Sequence, residues 1–149
     1  QERLNIRLFR EHDLLESLLR RTHRFRAVDT AGLYALAKDV ARLTADGIDA
    51  AALQSIVAPP KGEKWGSLKS LEKVLATRVS PATAHAVMGP LFGAYELRHA
   101  DSHLPKEDLK HALDLLEVDA ALPLVLQACQ LLSAVVNSLY AIAEALGKP

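Results

Sequence analysis

The chain has 149 residues, the size of one ordinary domain, and half of them are apolar, so it can bury a core without staples. A single cysteine, Cys129, excludes an intramolecular disulfide framework and a zinc ribbon, and it sets the expectation of a reducing, cytoplasmic compartment. Eighteen basic residues cancel eighteen acidic ones, which excludes a strongly basic nucleic-acid coat and an acidic disordered tail, and 5% aromatics amid abundant Ala and Leu argue against an all-β domain.

In chain order, Leu4, Leu8, Leu15, Leu18 and Phe25 recur at helical spacing and predict one long amphipathic helix from about Arg3 to Ala27. With no methionine and no signal region ahead of it, the chain reads as one helical domain, 1–149, cut from a longer protein or processed. Residues 1–100 carry 15 Lys/Arg against 11 Asp/Glu, and 101–149 carry 3 against 7. The positive excess is densest in "RRTHRFR", where Arg20, Arg21 and Arg24 are the candidate RNA-phosphate contacts, with Arg26, His23 and Phe25 beside them. On an amphipathic helix such a run also serves as a solvated face.

Asp29 or Thr30 caps the second helix, which turns Leu33, Leu36, Ala37, Val40 and Leu43 inward and stops at Gly47, read as a left-handed terminator with Ile48 as its hydrophobic lock. A short helix from about Ala50 to Val57 leads into the loop "APPKGEKWG", whose Trp65 either covers the core or stacks on a base. Ser67 caps the next helix, and Ser80-Pro81 opens another that Gly89-Pro90 should kink. That helix continues through Tyr95 and Arg98 until Leu104-Pro105 ends it; a further helix follows from Lys106 to Leu116.

Asp119 is expected to cap the last helix, which reaches Leu146 with no charge from Ala120 to Ala143. The run is long enough for a bilayer, but Pro123 and its Gln and Asn residues favour burial against protein, so no membrane is expected. One stripe holds Val125, Ala128, Leu132, Val135, Leu139, Ile142 and Leu146. A second is polar yet uncharged, Gln127, Gln130, Ser133 or Ala134, and Asn137, and should meet protein inside the bundle or across a subunit boundary. Cys129 reads as a small buried apolar residue.

Side chains of catalytic type crowd into "YELRHADSHLPKED", Tyr95 to Asp108. Arg98 and His103 are five apart, roughly 140° around an ideal helix, so they converge only if the helix loosens before Leu104-Pro105. Together they would supply a fixed cation beside a base that titrates near neutrality. A minority alternative is a metal held by His99 and His103, with Asp101 or His111 as a third ligand. There is no H-E-x-x-H and no Gly-rich phosphate loop; neither metal nor cofactor is expected. The structural alternative places Arg98 in ion pairs with Glu96, Asp101 or a neighbouring helix.

"LRHADSHLP" resembles the R-x4-6-H signature of HEPN domains, small helical bundles found in RNA-cleaving toxins and defence proteins, and a short acidic helix followed by a long final one also fits that pattern. It departs from the pattern at His99, where asparagine is common, and at Leu104-Pro105, where a glycine-containing continuation is usual. The resemblance implies an all-α HEPN-like bundle of about five to six helices and metal-independent RNA cleavage where two copies of the motif face each other. Arg98, His99 and His103 would then be catalytic, supported by Glu96, Asp101 and Ser102. It implies RNA as a partner and a homodimer through the last helix and the motif helix, with an inhibitor or other domains of a parent protein as further partners. The alternative is a catalytically silent helical module that dimerises or docks a partner through Gln127, Gln130 and Asn137.

Overall fold

Three of the helices begin where a side-chain oxygen takes up an otherwise orphaned backbone amide. Asp29 accepts from the Gly32 amide at 2.7 Å, Asp49 from those of Ala51 and Ala52 at 3.1 and 3.2 Å, and Ser80 from that of Thr83 at 3.1 Å. The computed structural model describes residues 6–11, 13–99 and 105–147. Among these residues the fold is all-helical: α1 (Leu15–Arg21), a 3₁₀ turn (Arg24–Arg26), α2 (Thr30–Leu43), α3 (Ala50–Gln54), α4 (Ser67–Leu75), α5 (Pro81–Leu97), α6 (Lys106–Leu115) and α7 (Leu124–Leu146). Helix α5 is the hub, packed against α2, α4, α6 and α7. Its Ala84, Met88, Leu91, Ala94 and Leu97 join a core with Leu36, Leu53, Leu71, Leu75, Leu116 and Leu131.

The single long N-terminal helix does not form. The backbone around Phe9 instead pairs antiparallel with Ile48, with Arg10 donating to the Gly47 carbonyl at 2.8 Å and Asp49 to that of Leu8 at 2.9 Å. Helix α1 stops at Arg21 because the Thr22 hydroxyl bonds back to the Leu18 carbonyl at 2.8 Å and His23 is fully extended (φ −148°, ψ 150°). Apolar residues at helical spacing were therefore shared between an extended arm and a short helix.

Several expected boundaries shift: α3 ends at Gln54 rather than about Val57, and α5 ends at Leu97 rather than running on to Leu104-Pro105. Gly47 is not a left-handed terminator: α2 ends at Leu43, and Thr44 (φ −108°, ψ −86°) closes it, its hydroxyl bonding to the Val40 carbonyl at 2.8 Å. Positive φ falls instead on Gly62 (91°) in the loop and on Glu117 (53°) after α6. Ser67 is the first residue of α4 rather than its cap, and its hydroxyl donates to the Ala45 carbonyl at 2.6 Å, tying α4 to the end of α2. Asp119 caps only a turn, accepting from the Ala121 amide at 2.9 Å, while α7 starts after Pro123. A helix begun at Ala120 would need an amide proton at residue 123, which proline lacks.

Helix α5 runs unbroken across Gly89-Pro90. Part of the clash that drives a pre-proline residue out of helical geometry involves its Cβ, and Gly89 has none. The Ser138 hydroxyl of α7 donates to the Val87 carbonyl at 2.7 Å one turn away. Helix α7 is long and apolar enough to cross a membrane; here it packs against α5, α2, α4 and the 3₁₀ turn, with 33% of its most apolar window buried.

Candidate functional site

Arg98 follows the last turn of α5, so its position is set by the hub helix. Its Nη1 donates to both carboxylate oxygens of Asp46, at 2.7 and 2.9 Å, and its Nε donates to His99 Nε2 at 3.0 Å. The guanidinium carbon lies 3.9 Å from the centroid of the Tyr95 ring, and His99 meets the same ring edge-on at 5.9 Å. Arginine only donates, so His99 Nε2 is the acceptor in this contact. Carboxylate, imidazole and ring thus hold the guanidinium on three sides, and the Arg98 side chain is 20% exposed.

The expected site is only partly assembled by these contacts. Arg98 and His99 touch, whereas Glu96, half-buried on the same turn, is not the carboxylate that Arg98 uses; Asp46, 52 residues away in sequence, takes that role. Asp101, Ser102 and His103 lie outside the described residues. His111 is exposed on α6, and no group of three metal-ligating side chains occurs among the described residues.

The arginine run is drawn apart by its partners. Arg20 pairs with Glu16 at 2.6 Å on the exposed side of α1, and Arg24 lies 4.7 Å over the ring of Phe25. Arg21 reaches Asp39 at 3.3 Å, as do Arg26, in a short hydrogen bond, and Arg42 at 3.6 Å. Asp39 is 5% exposed. This cluster was not anticipated, although a carboxylate three residues after Leu36 and next to Val40, on the apolar stripe of α2, is the signal for it.

The uncharged stripe of α7 divides. Gln127 is buried, donating to the Ala120 and Leu122 carbonyls at 3.2 and 2.7 Å, and Gln130 accepts from the Asp119 amide at 3.0 Å. These two secure the turn before α7 and are not an outward docking face; Ser133 and Asn137 are exposed. The outer face is more apolar: Leu126 is 45% exposed, Val136 48% and Tyr140 74%. Beside it an apolar cavity of about 310 Å³ opens between α1, α2 and α7, lined by Leu15, Leu19, Val40, Leu132, Val136 and Leu139. Cys129 is half-buried rather than buried. Trp65 donates to Glu63 at 2.8 Å and packs under Lys73, a local loop contact.

Compared with known proteins, the chain matches no family model, no curated protein and no solved structure. The class that the fold itself defines is an all-helical bundle.

Proposed function

We propose that this bundle is a HEPN-like module acting on RNA, with Arg98 anchoring a phosphate and His103 and His99 moving protons in metal-independent cleavage. The observation that carries the reading is the contact between Arg98 and His99 at the end of α5, directly before the segment that bears His103. Attack of a ribose 2′-OH on its own phosphate needs a base, an acid for the departing 5′-oxygen, and positive charge on the non-bridging oxygens. His99 Nε2 is an acceptor in this geometry, and Arg98 Nη2 makes no hydrogen bond among the described residues. Asp46 fixes the guanidinium plane, so a phosphate would meet an already oriented donor. Two active histidines per cleavage event come from His99 and His103 or from two subunits.

The test is incubation of the purified protein with mixed single-stranded RNA, without metal, followed by detection of 2′,3′-cyclic phosphate ends. Arg98→Ala and His103→Ala should each lower the rate about 10²–10⁴-fold while the helical spectrum is retained. If the wild type releases no such ends, the RNA-cleaving reading falls.

A second reading, a self-associating module, is favoured by one observation. Leu126, Cys129, Ser133, Val136, Tyr140 and Ala143 follow three- and four-residue spacing down the outer side of α7, all exposed or half-buried and none charged. That spacing is the seam by which two helices pack against each other.

A further inference from the structure

Asp39 is a buried carboxylate with more cationic partners than its charge requires. One guanidinium balances one carboxylate, and Arg26, 27% exposed and the closest, meets that need. Arg21 and Arg42, 44% and 45% exposed, add two further positive charges, and at that exposure the extra pairs stabilise the fold little. Residues 20–42 contain six Lys/Arg and two Asp/Glu, and of the six Arg20 is taken up by Glu16 upstream. Two part-exposed planar forks beside each other match the oxygens of a phosphate diester. Phe25, in the 3₁₀ turn beside Arg26 in the chain, is 63% exposed with Arg24 stacked on it, and among the described residues Arg24 meets no carboxylate. An exposed ring among arginines is the arrangement on which an unpaired base stacks.

We infer that Arg21 and Arg42, set in place by Asp39, together with Phe25, form a second contact for single-stranded RNA, away from the Arg98 end. The inference rests on the RNA reading above. Asp39 and Asp46 are seven residues apart on α2 and the turn after it, and each holds arginines from distant segments, Arg21 and Arg26 in one case and Arg98 in the other. A strand following the C-terminal part of α2 would pass from the cluster to the candidate cleavage site. Arg21 and Arg42 would hold its backbone and Phe25 one of its bases, while Asp39 acts only as a positioning residue.

The experiment is the fluorescence anisotropy of a labelled oligouridylate titrated with the whole chain over a range of salt concentrations. Arg21→Gln combined with Arg42→Gln should lower the slope of log affinity against log salt by about 1.4, since each single-strand phosphate contact contributes about 0.7. Phe25→Ala should weaken binding about tenfold and leave the slope unchanged, and Lys110→Gln on α6 should change neither. If the double variant loses its helical spectrum, Arg42→Gln alone decides, because Asp39 keeps its two other partners: a slope lower by about 0.7 supports the site. Variants that bind RNA with the wild-type slope overturn this site but leave the RNA reading standing. A wild type that binds no oligouridylate even at low salt overturns both.

Discussion

At the scale of single residues, charge placement follows from what each side chain can reach. Arg98 sits one residue past α5 and finds Asp46 rather than its sequence neighbour Glu96, since Nη1 meets both oxygens of Asp46 at hydrogen-bonding distance. Asp39 tolerates burial because Arg26 and Arg21 each donate to one of its oxygens, with Arg42 adding a nearby positive charge, and no buried polar side-chain atom among the described residues lacks a partner. Glu117 is the residue where the backbone is strained. It adopts φ 53° just after α6, while the Val118 amide bonds to the Leu113 carbonyl at 2.9 Å and Val118 is buried, the arrangement in which glycine normally ends a helix. A side chain in that conformation costs about 1 kcal/mol relative to glycine, partly offset by the greater freedom of glycine in the unfolded chain. Glu117→Gly should therefore raise stability by about 0.5 kcal/mol, measured as a higher urea midpoint at unchanged slope; a lower midpoint contradicts the strain argument.

At the scale of elements, helix contacts depend on where backbones approach closely. A Cβ on Gly93 would sit 2.7 Å from the Ala112 carbonyl oxygen, 2.9 Å from Leu116 Cγ and 3.0 Å from Leu115 Cβ, so α5 and α6 meet there without room for a methyl group. Gly32 is tighter, with the Arg26 carbonyl oxygen 2.2 Å from the position of its missing Cβ, which seats the 3₁₀ turn on the start of α2 and delivers Arg26 to Asp39. Gly93→Ala should destabilise by about 1–3 kcal/mol despite the better helix propensity of alanine. Thermal unfolding followed by circular dichroism reads the result, and an unchanged or raised midpoint would show that α6 can move away at no cost.

At the scale of the whole molecule, the outer side of α7 presents apolar side chains that a partner would cover. Leu126, Val136 and Tyr140 lie 45–74% exposed, and burying such side chains against a second copy is favourable at roughly 25 cal/mol per Å² of apolar surface. A two-fold axis would set the same seam of both copies face to face. Light scattering at tens of micromolar, well above a typical micromolar dissociation constant, should report twice the 16.2 kDa of the chain, and Val136→Glu with Tyr140→Glu should return it to 16.2 kDa. A wild type that scatters as a monomer would remove self-association through this face.

The features legible in the amino-acid sequence were short-range. Helical class, the Asp29 and Ser80-Pro81 starts, the start of the helix after Pro105 and the place of Arg98 at a helix end all depend on residues within one or two turns, where capping and periodicity act through the backbone. The tertiary structure alone decided whether the segment around Phe9 is helical or extended, because its backbone groups found partners at residues 47–49. The apolar stripe of α7 read from the sequence does face the core through Ala128, Val135, Ile142 and Leu146, but only the packed structure shows why the polar Gln127 and Ser138 are buried beside it: the Ala120, Leu122 and Val87 carbonyls lie there to accept from them. Finally, apart from the local Arg42–Asp39 pair within α2, the ion pairs at Asp39 and Asp46 span 13, 18 and 52 residues of chain. Such pairs exist only once α2, α5 and the 3₁₀ turn have packed, and periodicity along a single helix carries no trace of which distant side chain will meet it.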